Sequence, residues 1–286
     1  MYKRFYIWKR IFLLLLFCLS FALAGFAQEN TGTPEEQWLE KARDALAQEH
    51  YGEAINFCNQ GLAEHPQSSG LYVLRGVSYY VLDVYDKAEA DYTKALTIDD
   101  KLLVAYMSRA FIYMEQEDYD KAIADFSSLI DLSPNATYYN NRASVYKLKG
   151  DFEKAKDDYT KAIELEPQEN FYNNRGSLYQ ENKLYDEAVE DFTQAITING
   201  EYVPAYKNRA DVYSLQGIYD KALEDYKKAL TIDGDDYYIW YSLAYHYQLF
   251  GQNKEAVAAW RSFLQYAPKT EEEKIDYAKK QMEFLK

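Results

Sequence analysis

Charged side chains recur in register along this sequence, in a pattern that could bind an anion or join two helices. One slot repeats an arginine, and a second slot, sixteen residues later, repeats an aspartate. The pairs are Arg75 and Asp91, Arg109 and Asp125, Arg142 and Asp158, Arg175 and Asp191, and Arg209 and Asp225. Guanidinium and carboxylate groups match through two parallel hydrogen bonds. Because the same five units carry both residue types, we expect Arg–Asp pairs between helices; an arginine ladder for an anionic ligand is the alternative.

Catalytic and metal-binding chemistry finds little support in the sequence. His50, His65 and His246 are scattered, with no metal-ligand spacing to each other or to Cys58. The sequence contains no glycine-rich phosphate loop and no arrangement of serine, histidine and aspartate typical of hydrolases. We therefore predict no catalytic residues, no metal site, no cofactor and no enzymatic activity. We interpret Cys58 as a buried thiol.

A period of about 34 residues defines the elements that must position these charges. Each unit carries one alanine, at Ala54, Ala88, Ala122, Ala155, Ala188, Ala222 and Ala256. Four residues later stands a bulky or sulfur side chain, namely Cys58, Tyr92, Phe126, Tyr159, Phe192, Tyr226 or Trp260. Sixteen residues before each alanine stands Trp38, Tyr72, Tyr106, Tyr139, Tyr172, Tyr206 or Trp240. Residues three or four apart share a helix face. Each unit is therefore predicted to be a helix hairpin with these side chains in its core.

This pattern resembles the tetratricopeptide repeat (TPR), a helix–turn–helix unit of 34 residues. The resemblance covers residues 35–268 as seven repeats, at 35–68, 69–102, 103–135, 136–168, 169–202, 203–236 and 237–268. It implies an all-α fold, a right-handed superhelical α-solenoid with a concave groove lined by the first helix of each repeat. It also implies that a protein or peptide partner binds in the groove and that the repeats have no intrinsic catalytic activity.

A further helix is predicted at 269–286, where it would cover the exposed end of the last repeat. The segment from Thr270 to Glu273 resembles a capping box, a motif that starts helices. The apolar residues that follow at helical spacing are Ile275, Ala278, Met282 and Leu285.

The first-helix slots that would face the groove change character along the chain. In repeats two and three they are apolar: Val73, Val77, Tyr80, Met107, Phe111 and Met114. In repeats four to six they are polar: Asn140, Ser144, Asn173, Ser177, Lys207 and Asp211. In repeat seven they are aromatic: Tyr238, Tyr241 and Tyr245. We expect the apolar stretch to be the main contact, because an exposed apolar strip suits a peptide or helix. The alternative at each position is burial by a neighbouring helix.

The N-terminus has the layout of a secretory signal peptide over residues 1–27, followed by a flexible lead-in at 28–34. Basic residues precede an uncharged apolar run from Ile11 to Phe26, and Gly25 and Ala27 supply small residues for cleavage. We expect cleavage after Ala27, no membrane insertion afterwards, and a periplasmic or secreted location; an uncleaved N-terminal anchor is the alternative. The full chain has a net charge of −14, which disfavours nucleic acid as a partner.

Three functions fit these observations, the third of which is a purely structural, self-associating protein. The first is an exported TPR scaffold that binds a protein or peptide partner and mediates protein–protein interaction or complex assembly. The second is a glycan- or nutrient-binding accessory protein of the cell envelope, in which Tyr238, Tyr241 and Tyr245 would stack on sugars.

Overall fold

The computed structural model describes residues 32–285, so the predicted signal peptide lies outside the described residues. Within that range the chain forms fifteen α-helices and no strand, which confirms the all-α prediction. No helix in this range is long and apolar enough to span a membrane.

The helices fall into two compact units that divide between Lys149 and Gly150. The first unit contains α1 (Pro34–Ala47), α2 (Tyr51–Glu64), α3 (Ser69–Val81), α4 (Tyr85–Ile98), α5 (Leu103–Glu115), α6 (Tyr119–Leu132) and α7 (Ala136–Lys149). The second unit contains α8 (Phe152–Leu165), α9 (Glu169–Glu181), α10 (Tyr185–Ile198), α11 (Val203–Leu215), α12 (Tyr219–Ile232), α13 (Tyr237–Leu249), α14 (Asn253–Tyr266) and α15 (Glu272–Phe284).

The predicted core slots are confirmed at the seven alanines and at the residues four later; of the residues sixteen earlier, only Tyr206 is buried and the others are partly buried. The seven side chains that follow each alanine by four residues are at most 2% exposed. In repeats two and five they pack onto a glycine of the facing helix. A Cβ atom on Gly76 would lie 2.9 Å from the ring of Tyr92, and one on Gly176 would lie 2.8 Å from that of Phe192. The small residues therefore set how closely the two helices of a hairpin approach.

The turn inside each hairpin uses one residue in the left-handed region. Gly217 and Gly251 have φ values of +76° and +73°. The same slot holds a residue other than glycine in four repeats, at Glu49, Asp83, Glu117 and Lys183, with φ between 59° and 61°. Such a conformation costs a side-chain-bearing residue roughly 1–2 kcal/mol, so helix packing must hold it in place.

The start of the C-terminal helix differs from the prediction. Helix α15 begins at Glu272, and its N-cap residue, Glu271, makes no side-chain capping hydrogen bond. The expected capping box at Thr270 to Glu273 is therefore wrong. The carboxylate of Glu271 is instead engaged by the Lys274 ammonium at 2.6 Å, a charge-assisted contact.

Candidate partner-binding surface

The arginine slot holds helices together in four repeats. Nε and Nη2 of each arginine donate to the two carboxylate oxygens of the aspartate in the same repeat, at 2.7–2.9 Å. The pairs are Arg75–Asp91, Arg109–Asp125, Arg175–Asp191 and Arg209–Asp225. The predicted pairing is confirmed at these four sites.

Each of these arginines also reaches the preceding repeat. Nη1 of Arg175 donates to Oγ1 of Thr160 on α8 at 3.0 Å. Its guanidinium carbon lies 5.8 Å from the ring centroids of both Tyr172 and Tyr179. Since the group is bonded to two other helices and flanked by two rings, the geometry favours a structural role over an anion-binding ladder.

Four predicted contact residues of the first unit are core residues. Val73, Val77, Tyr80 and Met107 are only 4–8% exposed. They belong to one apolar cluster that runs from α3 to α7, so neighbouring helices cover them. The expectation of a solvent-facing apolar strip is corrected at these positions.

The remaining first-unit candidates are also largely covered. Phe111 and Met114 are half-buried and pack against the same cluster. The Phe111 ring stands edge-on to Phe126, with centroids 5.9 Å apart. Asn140 is 3% exposed. The first unit therefore offers little of its predicted contact surface to a partner.

The second unit arranges its first helices side by side. Nδ2 of Asn208 on α11 donates to Oδ1 of Asn173 on α9 at 2.9 Å. Gln248 on α13 donates to Gln281 on α15 at 2.6 Å. Because α13 also meets α11 through His246, the helices α9, α11, α13 and α15 form one continuous row.

A charged pair lies in the middle of this row. Nζ of Lys207 contacts Oδ2 of Asp211 at 2.5 Å, and both side chains are about a quarter exposed. The other carboxylate oxygen of Asp211 accepts a hydrogen bond from the Tyr226 hydroxyl at 2.6 Å. Asn173, by contrast, is 7% exposed, so its amide serves packing within the row.

The aromatic slots of repeat seven divide into one packed ring and two accessible ones. Tyr241 stands edge-on to Trp260, with ring centroids 5.0 Å apart, and burial raises its pKa. Tyr245 is 50% exposed and Tyr238 is 37% exposed. Accessible rings are unusual among the predicted contacts and can stack on or pack against a ligand.

Helix α15 adds polar groups that sequence reasoning missed. The hydroxyls of Tyr237 and Tyr238 both donate to Oε1 of Glu271, at 3.1 and 3.2 Å. Nζ of Lys274 lies 5.2 Å from the centre of the Tyr238 ring. The Lys274 ammonium is the main cause that lowers the pKa of Glu271, so this carboxylate stays charged near neutral pH. The helical spacing of Lys274, Tyr277 and Gln281 could have revealed this second face of α15.

We use the term row surface for the side chains that helices α11, α13 and α15 of this row present together. Its members are Lys207, Asp211, Tyr238, Tyr241, Tyr245, Lys274 and Gln281. It combines accessible aromatic rings with paired charges and an amide. Such a mixture can bind polar backbone and apolar side chains at once.

Repeated helix hairpins with a 34-residue period define a TPR-type solenoid, a class of binding scaffold. This chain belongs to the tetratricopeptide repeat family. Profiles described as tetratricopeptide repeat match residues 39–102, 103–135, 136–169, 170–202 and 203–236.

Solved structures with this fold include other TPR proteins. A tetratricopeptide repeat protein from Parabacteroides merdae aligns with a TM-score of 0.69 and 18% identity, over 89% of this chain and 99% of that chain. YrrB, described as a TPR protein with an unusual peptide-binding site, aligns with a TM-score of 0.50 and 21% identity, over 63% of this chain and 93% of that chain. At these identities the likeness extends to the fold alone.

Curated relatives match over a shorter stretch. Serine/threonine-protein phosphatase 5 of Rattus norvegicus is 27% identical over 107 residues, which is 37% of this chain and 21% of the phosphatase. The chain thus spans about a fifth of the length of the curated relatives it matches. The repeats and their structural neighbours support a protein–protein interaction scaffold, and a TPR fold is typically non-catalytic.

Proposed function

We propose that this protein is an exported TPR scaffold that binds a protein or peptide partner on the row surface of its second unit. The observation that carries the proposal is the contrast in exposure among the predicted contacts. Tyr245 is half exposed, whereas Val77 and Met107 are buried. The peptide-binding site described for YrrB adds support from a protein of the same fold.

Truncating Tyr245 to alanine is expected to weaken partner binding about tenfold or more, because aromatic anchors at interfaces commonly contribute about 2 kcal/mol. Pull-down from an envelope fraction would supply the partner, and titration of that partner against the variant would measure the effect. Thermal unfolding should change little, since the ring is half exposed in the free protein.

Tyr266 provides a matched control for this experiment. It is 37% exposed and lies at the end of α14, outside the row surface. Tyr266→Ala should bind the partner normally. Equal losses in the two variants, or none in Tyr245→Ala, would contradict the proposed site.

Glycan binding is the second candidate function, and the accessible rings of Tyr238 and Tyr245 favour it. Aromatic faces stack on sugars as well as on peptide side chains. A glycan array beside the pull-down separates the two functions. Retention of a glycan that depends on Tyr245, with no protein captured from the envelope fraction, would replace the scaffold proposal.

Export is expected to remove residues 1–27 and leave Gln28 as the N-terminus. Intact mass and terminal sequencing of the native protein would measure this directly. Lys3 and Arg4 would then be absent from the mature chain. Recovery of the full chain in a membrane pellet would instead support the uncleaved anchor.

A further inference from the structure

A histidine occupies a core slot that repeats three to six fill with apolar residues. His246 on α13 is 0% exposed. The equivalent first-helix slot holds Ile112, Val145, Leu178 and Val212, each at most 2% exposed. A buried titratable ring at this position is therefore a local departure from the packing of repeats three to six.

The His246 ring is only half satisfied in its hydrogen bonding. Nδ1 lies 2.8 Å from Oγ of Ser214 on α11, while the buried Nε2 has no hydrogen-bond partner. The ring stacks on Tyr219 with centroids 5.0 Å apart and meets Phe250 at 4.9 Å. The neutral tautomer protonated at Nδ1 can donate to Ser214 and leaves Nε2 only as an unused acceptor, whereas an imidazolium would bury an Nε2–H without an acceptor.

The same histidine adjoins the charged pair of the row surface. Its ring contacts Tyr226 at 5.6 Å between centroids. The Tyr226 hydroxyl donates to Asp211, and Asp211 in turn binds Lys207. Packing around the imidazole therefore supports the helix that carries this pair.

The charges around His246 do not compensate a buried imidazolium. Burial lowers the pKa of His246, and Asp211 on α11 opposes that shift without overcoming it. Tyr219 and Tyr226 on α12 and Tyr247 on α13 have pKa values raised by burial, so all three are neutral near pH 6. The other charged groups nearby are carboxylates that also raise the pKa values of these tyrosines, namely Asp220 and Asp225 on α12 and Glu255 on α14.

We infer that His246 makes the junction between repeats six and seven acid-sensitive, so that protonation of its imidazole loosens α13 from α11 and α12. The opened state accepts the proton near pH 6.5, the usual value for histidine, while the packed state resists it. The stability of the junction is therefore full above that pH and falls as the pH drops below it. Acid should also weaken partner binding on the row surface, a consequence that rests on the proposed function.

Hydrogen exchange of the free protein tests this inference without any partner. Between about pH 7.5 and about pH 5.5, after correction for intrinsic rates, the opening equilibrium constant of the α13 amides should rise about tenfold. In His246→Leu, which installs the residue found at position 178, that rise should be absent. His50→Gln serves as the control, because His50 is exposed and its loss should leave the rise intact.

Two results would overturn the inference. One is the same acid-induced opening of α13 in wild type and His246→Leu. The other is an NMR titration in which the His246 imidazole of the folded protein titrates at or above pH 6.5. This measurement also tests the inference if the variant does not fold. Neither result depends on whether Tyr245 binds a partner, so the two proposals fail separately.

Discussion

Replacing Arg175 with alanine is expected to lower the free energy of unfolding by roughly 3–5 kcal/mol, because it leaves a buried carboxylate without its partner. The side chain of Asp191 is 4% exposed and that of Arg175 is 17% exposed. Burial raises the pKa of Asp191 even with the guanidinium beside it, so this carboxylate is costly to bury. Each residue of the pair is therefore destabilising without the other, while the intact pair adds little net free energy to folding.

A double-mutant cycle with Asp191→Ala measures that dependence by chemical denaturation. The double variant should lose much less than the sum of the two single losses. Arg261→Ala is the control, since Arg261 is exposed on α14 and should change stability by about 0.5 kcal/mol or less. Additive losses in the cycle would contradict the pairing and revive the anion-binding ladder.

Trp260→Ala should destabilise the second unit by roughly 3–5 kcal/mol, as truncation of a fully buried aromatic leaves a large cavity. Trp260 is 0% exposed and meets Tyr241 at 5.0 Å and Tyr277 at 5.8 Å between ring centroids. The ring thus joins α13 to α15. We expect α15 to detach first, because repeat proteins lose structure locally.

Limited proteolysis and hydrogen exchange of α15 would measure this local loss of structure. Phe284→Ala provides the control, since Phe284 lies on α15 itself and is 81% exposed. Protection of α15 should be lost in Trp260→Ala and kept in Phe284→Ala. Unchanged protection in Trp260→Ala would contradict the view that this ring docks the terminal helix.

Periodicity made the hairpins, the core slots and the Arg–Asp pairing predictable, because each depends on offsets within one or two adjacent helices. The exposure of the first-helix slots was not predictable in the same way. Val77 and Tyr245 occupy equivalent slots, yet one is 6% and the other 50% exposed. How far neighbouring repeats cover a slot depends on the volumes of all the facing side chains.

Two local features show the same limit. The sequence near Thr270 has the residues of a capping box, but Glu271 pairs with Lys274 and two tyrosine hydroxyls instead. His246 lacks metal-ligand spacing, yet it aligns with Val212, and both side chains are fully buried. Comparing each polar residue with its equivalents in the other repeats is the signal that would have found it.

Site-specific photo-crosslinking tests the central claim most directly. A photoreactive phenylalanine analogue would replace Tyr245 on α13 and, in a second protein, the exposed Lys228 on α12, a second helix of its repeat. We expect a discrete crosslinked protein or peptide partner from position 245 and none from position 228, with export intact. Crosslinking of the same partner from position 228 alone would contradict binding on the row surface.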